Sequence, residues 1–253
     1  MNSLAQKLQS FEKLSEADLA VLENVIAKTR QVDARQDLIE EGDVPTDVLL
    51  VLEGFACRYK LLANGRRHIF SYMIAGDFCD LHGFIFRTMD HSVATLTTCT
   101  VVDIPRRTVL DLTEHHPRIA RGLMWSTLVD QAVLREWLVN MGQRSAVEAT
   151  AHLLCEMLMR LEIVGLVSNG HYQLPLTQTD LADTLGISIV HTNRSLKALR
   201  EAGLVEMIDK AVYIPNIEKL KAFSGFTANY LHIGPGKVDI AGVRSRHVKT
   251  VTD

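Results

Sequence analysis

LTQTDLADTLGISIVHTNRSLKALR (residues 176–200) divides into two helices around Gly186. Thr177 can cap the first, with Asp180 three residues on completing a capping-box pair, while Leu181 and Leu185 face inward and the small Ala182 lets a second helix cross closely. Gly186 permits the left-handed backbone of a tight turn. Ser188 caps the second helix, and Thr192, Leu196 and Leu199 form its buried side. This is the pattern of a helix-turn-helix.

Ile189, Val190, Asn193, Arg194 and Lys197 are left on the outside of the second helix. A helix in water rarely exposes Ile-Val in its first turn beside Asn, Arg and Lys without a partner, and the major groove of double-stranded DNA is a partner of the right chemistry. Arg194 can pair bidentately with guanine, Asn193 is of a type that pairs with adenine, and Val190 can meet a thymine methyl. Thr179, Ser188, His191 and Lys197 suit phosphates, as do the free N–H groups of the helix start. The alternative, an ordinary amphipathic hairpin, would have to bury the same apolar groups inside the protein.

Downstream of Gly203, Leu204–Ile208 and Ala211–Pro215 flank Asp209-Lys210 and read as a two-stranded wing. Ile217–Phe223 suggests one closing helix. The remainder, with Gly234-Pro235-Gly236 and Arg244, Arg246, His247 and Lys249, reads as a basic flexible tail.

Upstream, the pattern from Pro117 to Met141 predicts one helix of about 36 Å, longer than a small domain needs. It carries two apolar stripes, one through Ile119, Leu123, Ser126, Val133, Trp137 and Met141, the other through Met124, Leu128, Leu134 and Leu138. Two faces need two partners. One partner is the chain's own core, and the other is the same helix of a second copy, with the seam expected at Ile119, Leu123, Ser126, Val133, Trp137 and Met141. Between about Arg35 and Pro105, β-branched and aromatic runs are broken by Gly42, Gly54, Gly65 and Gly76. That spacing suits short antiparallel strands closing into a roll or jelly-roll barrel, with a type I′ turn expected at Asn64-Gly65. A helical prelude occupies residues 4–28, with a helix start at Ser15 and Asp18, and His115-His116 reads as loop.

The composition narrows the class of function. Of 253 residues, 27 are Lys or Arg and 30 Asp or Glu, a net charge of -3, so DNA affinity must be local rather than a global basic field. No apolar run approaches the roughly 20 residues of a bilayer span and no secretory pattern opens the chain, so a cytoplasmic protein with no membrane partner is expected. The four cysteines, Cys57, Cys79, Cys99 and Cys155, are scattered and fit neither a disulfide framework nor a zinc finger. No nucleophile elbow, phosphate loop or zinc-protease motif supports an enzyme.

Roll, long helix, hinge and winged helix in this order resemble the Crp/Fnr family of bacterial transcription regulators over about residues 15–225. The carriers are Glu41-Gly42-Asp43, Leu52-Glu53-Gly54, Gly76-Asp77-Phe78, the 117–141 helix, and Thr177 through Leu199 followed by Gly203-Leu204-Val205. The resemblance implies an α+β chain. Residues 1–116 would form N-terminal helices and a cyclic-nucleotide-binding-like β-roll, 117–141 a dimerisation helix, 142–146 a hinge, 147–225 the winged helix-turn-helix and 226–253 the tail. It also implies a homodimer reading an inverted repeat, with RNA polymerase as a further partner if the protein activates.

The chain departs from the family's two best-known sensor chemistries. Cyclic-nucleotide-binding members carry a Gly-Glu pair for the ribose and an Arg-Ser or Arg-Thr pair for the phosphate. Here, counting from Gly76, Asp80-Leu81 and His91-Ser92 stand in those places. Without the guanidinium fork, cyclic AMP is not expected to bind in this degenerate pocket. Iron–sulfur members need cysteines near the N-terminus, and the first here is Cys57. No cofactor or metal is therefore expected. Cys79, His82 and His91 around the pocket leave a haem- or metal-responsive regulator as an alternative, beside a cyclic-nucleotide-responsive one and a module acting on a protein partner.

Overall fold

Two short helices begin the chain. Helix α1 (Ser3–Gln9) is capped by Asn2, and α2 (Glu16–Val25) opens with a reciprocal capping box between Ser15 and Asp18. The computed structural model describes residues 2–83, 85 and 87–233. Seven strands follow: β1 (Arg30–Val32), β2 (Asp37–Ile39), β3 (Asp47–Glu53), β4 (Ala56–Leu61), β5 (Arg67–Met73), β6 (Ser92–Thr95) and β7 (Cys99–Pro105). They pair antiparallel in two sheets, ordered β1-β7-β3 and β2-β6-β4-β5. Leu49, Val51 and Val101 from one sheet meet Ala56, Met73 and Val93 from the other in a shared apolar interior. Successive side chains of β3 and β7 point to opposite faces, and both faces are buried: Val48, Leu50, Val102 and Ile104 pack on the other side in a second core with the helices, beside Leu4, Leu8, Val109 and Ile119.

Helix α3 (Arg106–His115) leads into α4 (Pro117–Gln143), whose proline sits in its first turn. Helix α5 (Ala146–Ile163) starts with a capping box of Ser145 and Glu148, so the break between α4 and α5 is only Arg144 and Ser145. After α5 come β8 (Val167–Ser168), β9 (His171–Gln173), α6 (Gln178–Leu185), α7 (Ile189–Glu201), β10 (Glu206–Ile208), β11 (Ala211–Tyr213) and α8 (Ile217–Ser224). The last four strands form one antiparallel sheet, β10-β11-β9-β8. The architecture is therefore a β-roll, a long helix and a winged helix-turn-helix.

Several local expectations require correction. Only Gly65 of the Asn64-Gly65 pair is left-handed, and Leu62 and Arg66 close a longer loop through a 2.9 Å backbone hydrogen bond, so the turn is not type I′. Both residues are left-handed instead at Asn169-Gly170, between β8 and β9, and at Asp209-Lys210 in the wing. Asn169-Gly170 thus makes the hairpin that joins β8 to β9. His115 belongs to the last turn of α3 rather than to a loop. The expected tail from residue 226 is also too long. Phe226, Tyr230 and Leu231 are buried, and a 3₁₀ turn at Ala228–Leu231 packs them into the core of the helical domain. The rest of that segment, Gly234 onward, lies outside the described residues.

Candidate nucleic-acid interface

The helix-turn-helix is built by its caps. The Thr177 hydroxyl accepts from the Asp180 N–H at 3.1 Å, while the Asp180 carboxylate accepts from the Thr177 N–H at 2.9 Å. Gly186 ends α6 with φ +65°, a conformation that a side chain would strain. Ser188 starts α7, its hydroxyl accepting from the His191 N–H at 3.3 Å. Thr192, Ser195, Leu196 and Leu199 face inward, and the Thr192 hydroxyl donates to the Ser188 carbonyl at 3.2 Å.

This leaves Ile189, Val190, His191, Arg194 and Lys197 exposed and Asn193 half-buried beside them on one face. Val190 is 60% exposed in the first turn. Among the described residues no carboxylate pairs with Arg194, whereas Lys197 lies 3.6 Å from Glu201. Thr179 and Ser188 are exposed at the starts of α6 and α7, where the partial positive charge of a helix N-terminus favours an anion. The geometry thus joins an apolar and guanidinium surface to hydroxyl and N–H groups suited to phosphate.

The long helix divides its two apolar stripes opposite to expectation. Ile119, Leu123, Ser126, Val133 and Trp137 are buried within the chain, and of the residues assigned to the seam only Met141 is exposed. The reason is packing on the chain's own elements. Ile119 and Leu123 join a core with Leu4 and Leu8 of α1, and Trp137 donates through Nε1 to the buried Glu156 of α5 at 3.0 Å. Burial pushes the Glu156 carboxyl upward, against the opposing pull of Arg160. The open stripe is the other one, with Met124 at 64%, Leu128 at 50% and Leu138 at 69% exposure, continued by Val139.

A cleft of about 600 Å³ lies between the roll and α4. Asp80 and His91 line it, with His82, and so do Arg58, Lys60, Phe70 and Asp90. From α4 come Thr127, Asp130, Gln131 and Leu134. Gly76, Leu81 and Ser92 belong elsewhere. Gly76 backs onto the Ser3 carbonyl, Leu81 packs against the core beneath α1, and the Ser92 hydroxyl accepts from the Glu41 N–H at 3.0 Å. The Cys79 thiol turns into the interior of the roll, where burial pushes it up to about 12. Among the described residues, no group of three His, Cys, Asp or Glu side chains is arranged to hold a metal ion.

Arg58 is the site residue that the sequence did not disclose. It is a lone arginine at a buried strand position, and nothing in the local pattern separates it from an edge residue. Its Nε donates to the Cys79 carbonyl at 2.6 Å, one Nη to the Phe78 carbonyl at 2.9 Å, and the other Nη pairs with Asp130 at 2.7 Å. The guanidinium at the cleft is therefore already engaged.

Comparison with known proteins places this arrangement. Residues 29–116 match the cyclic nucleotide-binding domain and residues 148–223 the Crp-like helix-turn-helix domain. The chain is 29% identical over 196 residues to the transcriptional activator protein FnrL of Cereibacter sphaeroides, covering 76% of this chain and 78% of FnrL. It is 26% identical over 194 residues to the nitrogen fixation regulation protein FixK of Bradyrhizobium diazoefficiens, covering 75% and 78%. The chain belongs to the Crp/Fnr family of transcription regulators. Its fold matches that of FixK2 from Bradyrhizobium japonicum with a TM-score of 0.70 at 22% identity, over 79% of this chain and 98% of that one. As a Crp/Fnr regulator it is a DNA-binding protein, and α6 and α7 fall inside the matched helix-turn-helix domain. No helix among the described residues is long and apolar enough to cross a membrane.

Proposed function

We propose that this Crp/Fnr regulator binds an inverted-repeat operator as a homodimer and does so without cyclic AMP. The observation that carries the reading is the exposed face of α7, where Val190, Asn193 and Arg194 would read base edges while Thr179, Ser188, His191 and Lys197 meet phosphates. A second copy would lie along Met124, Leu128 and Leu138, since an apolar stripe of this length on one helix face suits a helix-to-helix seam. Cyclic AMP is disfavoured because the position expected to chelate its phosphate holds His91, whose Nδ1 lies 2.6 Å from Asp90, and because Arg58 is committed to Asp130 and two carbonyls. The protein would act in the cytoplasm, with RNA polymerase as partner if it activates, as FnrL is named an activator.

A second reading rests on the cleft. Its volume of about 600 Å³ falls in the range of small-molecule pockets, which favours an effector other than cyclic AMP. Selecting binding sites with purified protein from random duplexes, with and without cyclic AMP, tests the first reading. An inverted repeat selected equally in both arms supports the first.

A further inference from the structure

Helix α6 packs against strand β5, and polar contacts across that junction reach Asp180, Asp183 and Thr184 of α6. Asp180 is fully buried, and it already serves the capping box that starts α6. Arg35, from the loop before β2, adds a two-pronged pair with both Nη atoms 2.8 Å from the carboxylate oxygens. Arg67, at the start of β5, donates one Nη to Asp180 and its Nε to Asp183, each at 2.8 Å. Next to them the Tyr72 hydroxyl, also from β5, bonds the Thr184 hydroxyl of α6. Every one of these contacts joins the β-roll to the first helix of the helix-turn-helix.

Two features indicate that this is more than incidental packing. Helix capping needs one carboxylate oxygen and no guanidinium, so the arginines serve the junction rather than the helix start. Arg35 also sits at φ +65°, where a side chain is strained and glycine is not. The side chain held there is the one that makes the fork to Asp180.

We propose that Arg35 and Arg67 form an ionic clasp that fixes the helix-turn-helix on its own β-roll, making them positioning residues for operator binding. The inference rests on the DNA-binding reading of α7 and adds how that helix is aimed. Helix α7 packs on α6 across the Gly186 turn, so fixing α6 fixes the direction in which Val190 and Arg194 point. The clasped pose leaves that face and Thr179 exposed. An inverted repeat demands two recognition helices at one separation, and a domain held in place does not lose that freedom again on binding.

The test uses the full chain with Arg35→Gln and Arg67→Gln combined, and separately Arg67→Glu with and without Asp183→Arg. The double glutamine variant should lose on the order of tenfold in operator affinity, about 1.4 kcal/mol. It should select the same sequence as wild type and bind an unrelated duplex within about twofold of it. Amide hydrogens of Gln178–Leu185 should exchange faster without DNA present, and Asp183→Arg should recover part of the affinity that Arg67→Glu removes. Unchanged exchange in α6 overturns the clasp whatever the DNA result. Equal or tighter operator binding by the glutamine variant, or no recovery by the charge swap, overturns its positioning role. If wild-type protein selects no duplex at all, the DNA-binding reading fails and the positioning role with it, while the exchange measurement still decides whether the arginines hold α6.

Discussion

The guanidinium of Arg58 lies 2.7 Å from the carboxylate of Asp130, tying strand β4 to the middle of the long helix α4 across the cleft. Arg58 is buried, and it also donates to the carbonyls of Phe78 and Cys79. An anion seeking this guanidinium would have to compete with the carboxylate of Asp130 and two carbonyls that already engage it, and breaking one partner of a buried pair is costly.

Cyclic AMP should therefore bind weakly or not at all, and operator binding should be indifferent to it. Titration calorimetry measures the first and a mobility shift the second. Introducing His91→Arg should change little, because the neighbouring Arg58 and Asp130 pair stays in place. Micromolar affinity coupled to cyclic-AMP-dependent operator binding would contradict this.

The two stripes of α4 should respond in opposite ways to substitution. Leu128→Asp or Leu138→Asp should give a folded monomer by light scattering, since both side chains are at least half exposed in the single chain. Leu123→Ala, at a site buried against α1, should instead cost about 2–5 kcal/mol of stability and leave the assembly intact where the protein folds. A monomeric wild type at micromolar concentration would remove the seam.

Acid should weaken the docking of α6. Burial raises the pKa of Asp180, but the hydrogen bonds from Arg35 and Thr177 outweigh it and hold the carboxyl well below its ordinary 3.8. Because the folded value is the lower one, the stabilisation is fully present above the unfolded value and disappears as pH falls through the folded one. Melting curves should show wild type well above Asp180→Asn at pH 6, with the gap narrowing below about pH 4. A gap that widens in acid would reverse the sign of the effect.

The helix-turn-helix was legible in the sequence because its signals are local. Thr177 with Asp180, Gly186 and Ser188 act within a few residues, and each sits in the structure at the cap or turn its chemistry suggests. The wing was legible for the same reason. The stripe expected to face a second copy is the one the chain itself covers, because periodicity separates two apolar stripes without saying which of them will be covered. That depends on α1 and α5, distant in sequence, whose Leu8 and Glu156 claim the Leu123 and Trp137 side. Arg58, Arg35 and Arg67 escaped notice because their partners lie far along the chain, and one arginine in a strand carries no mark of what it will meet.

Arg194 should read a guanine in each half-site. Arg194→Ala should cost on the order of 1–3 kcal/mol on the specific site and relax preference at one base pair, whereas Lys197→Ala should weaken all sequences alike. Competition binding on matched and single-base-changed duplexes separates the two. A uniform loss for Arg194→Ala would make it a phosphate contact.

In the proposed assembly, a homodimer presents two α7 faces to one duplex. Selection of binding sites from random DNA by the purified full-length protein tests it most directly. The expected result is an inverted repeat whose half-site centres lie about 34 Å, one helical turn, apart on the same face of the DNA. A single unrepeated site, or binding with no sequence preference, would contradict it.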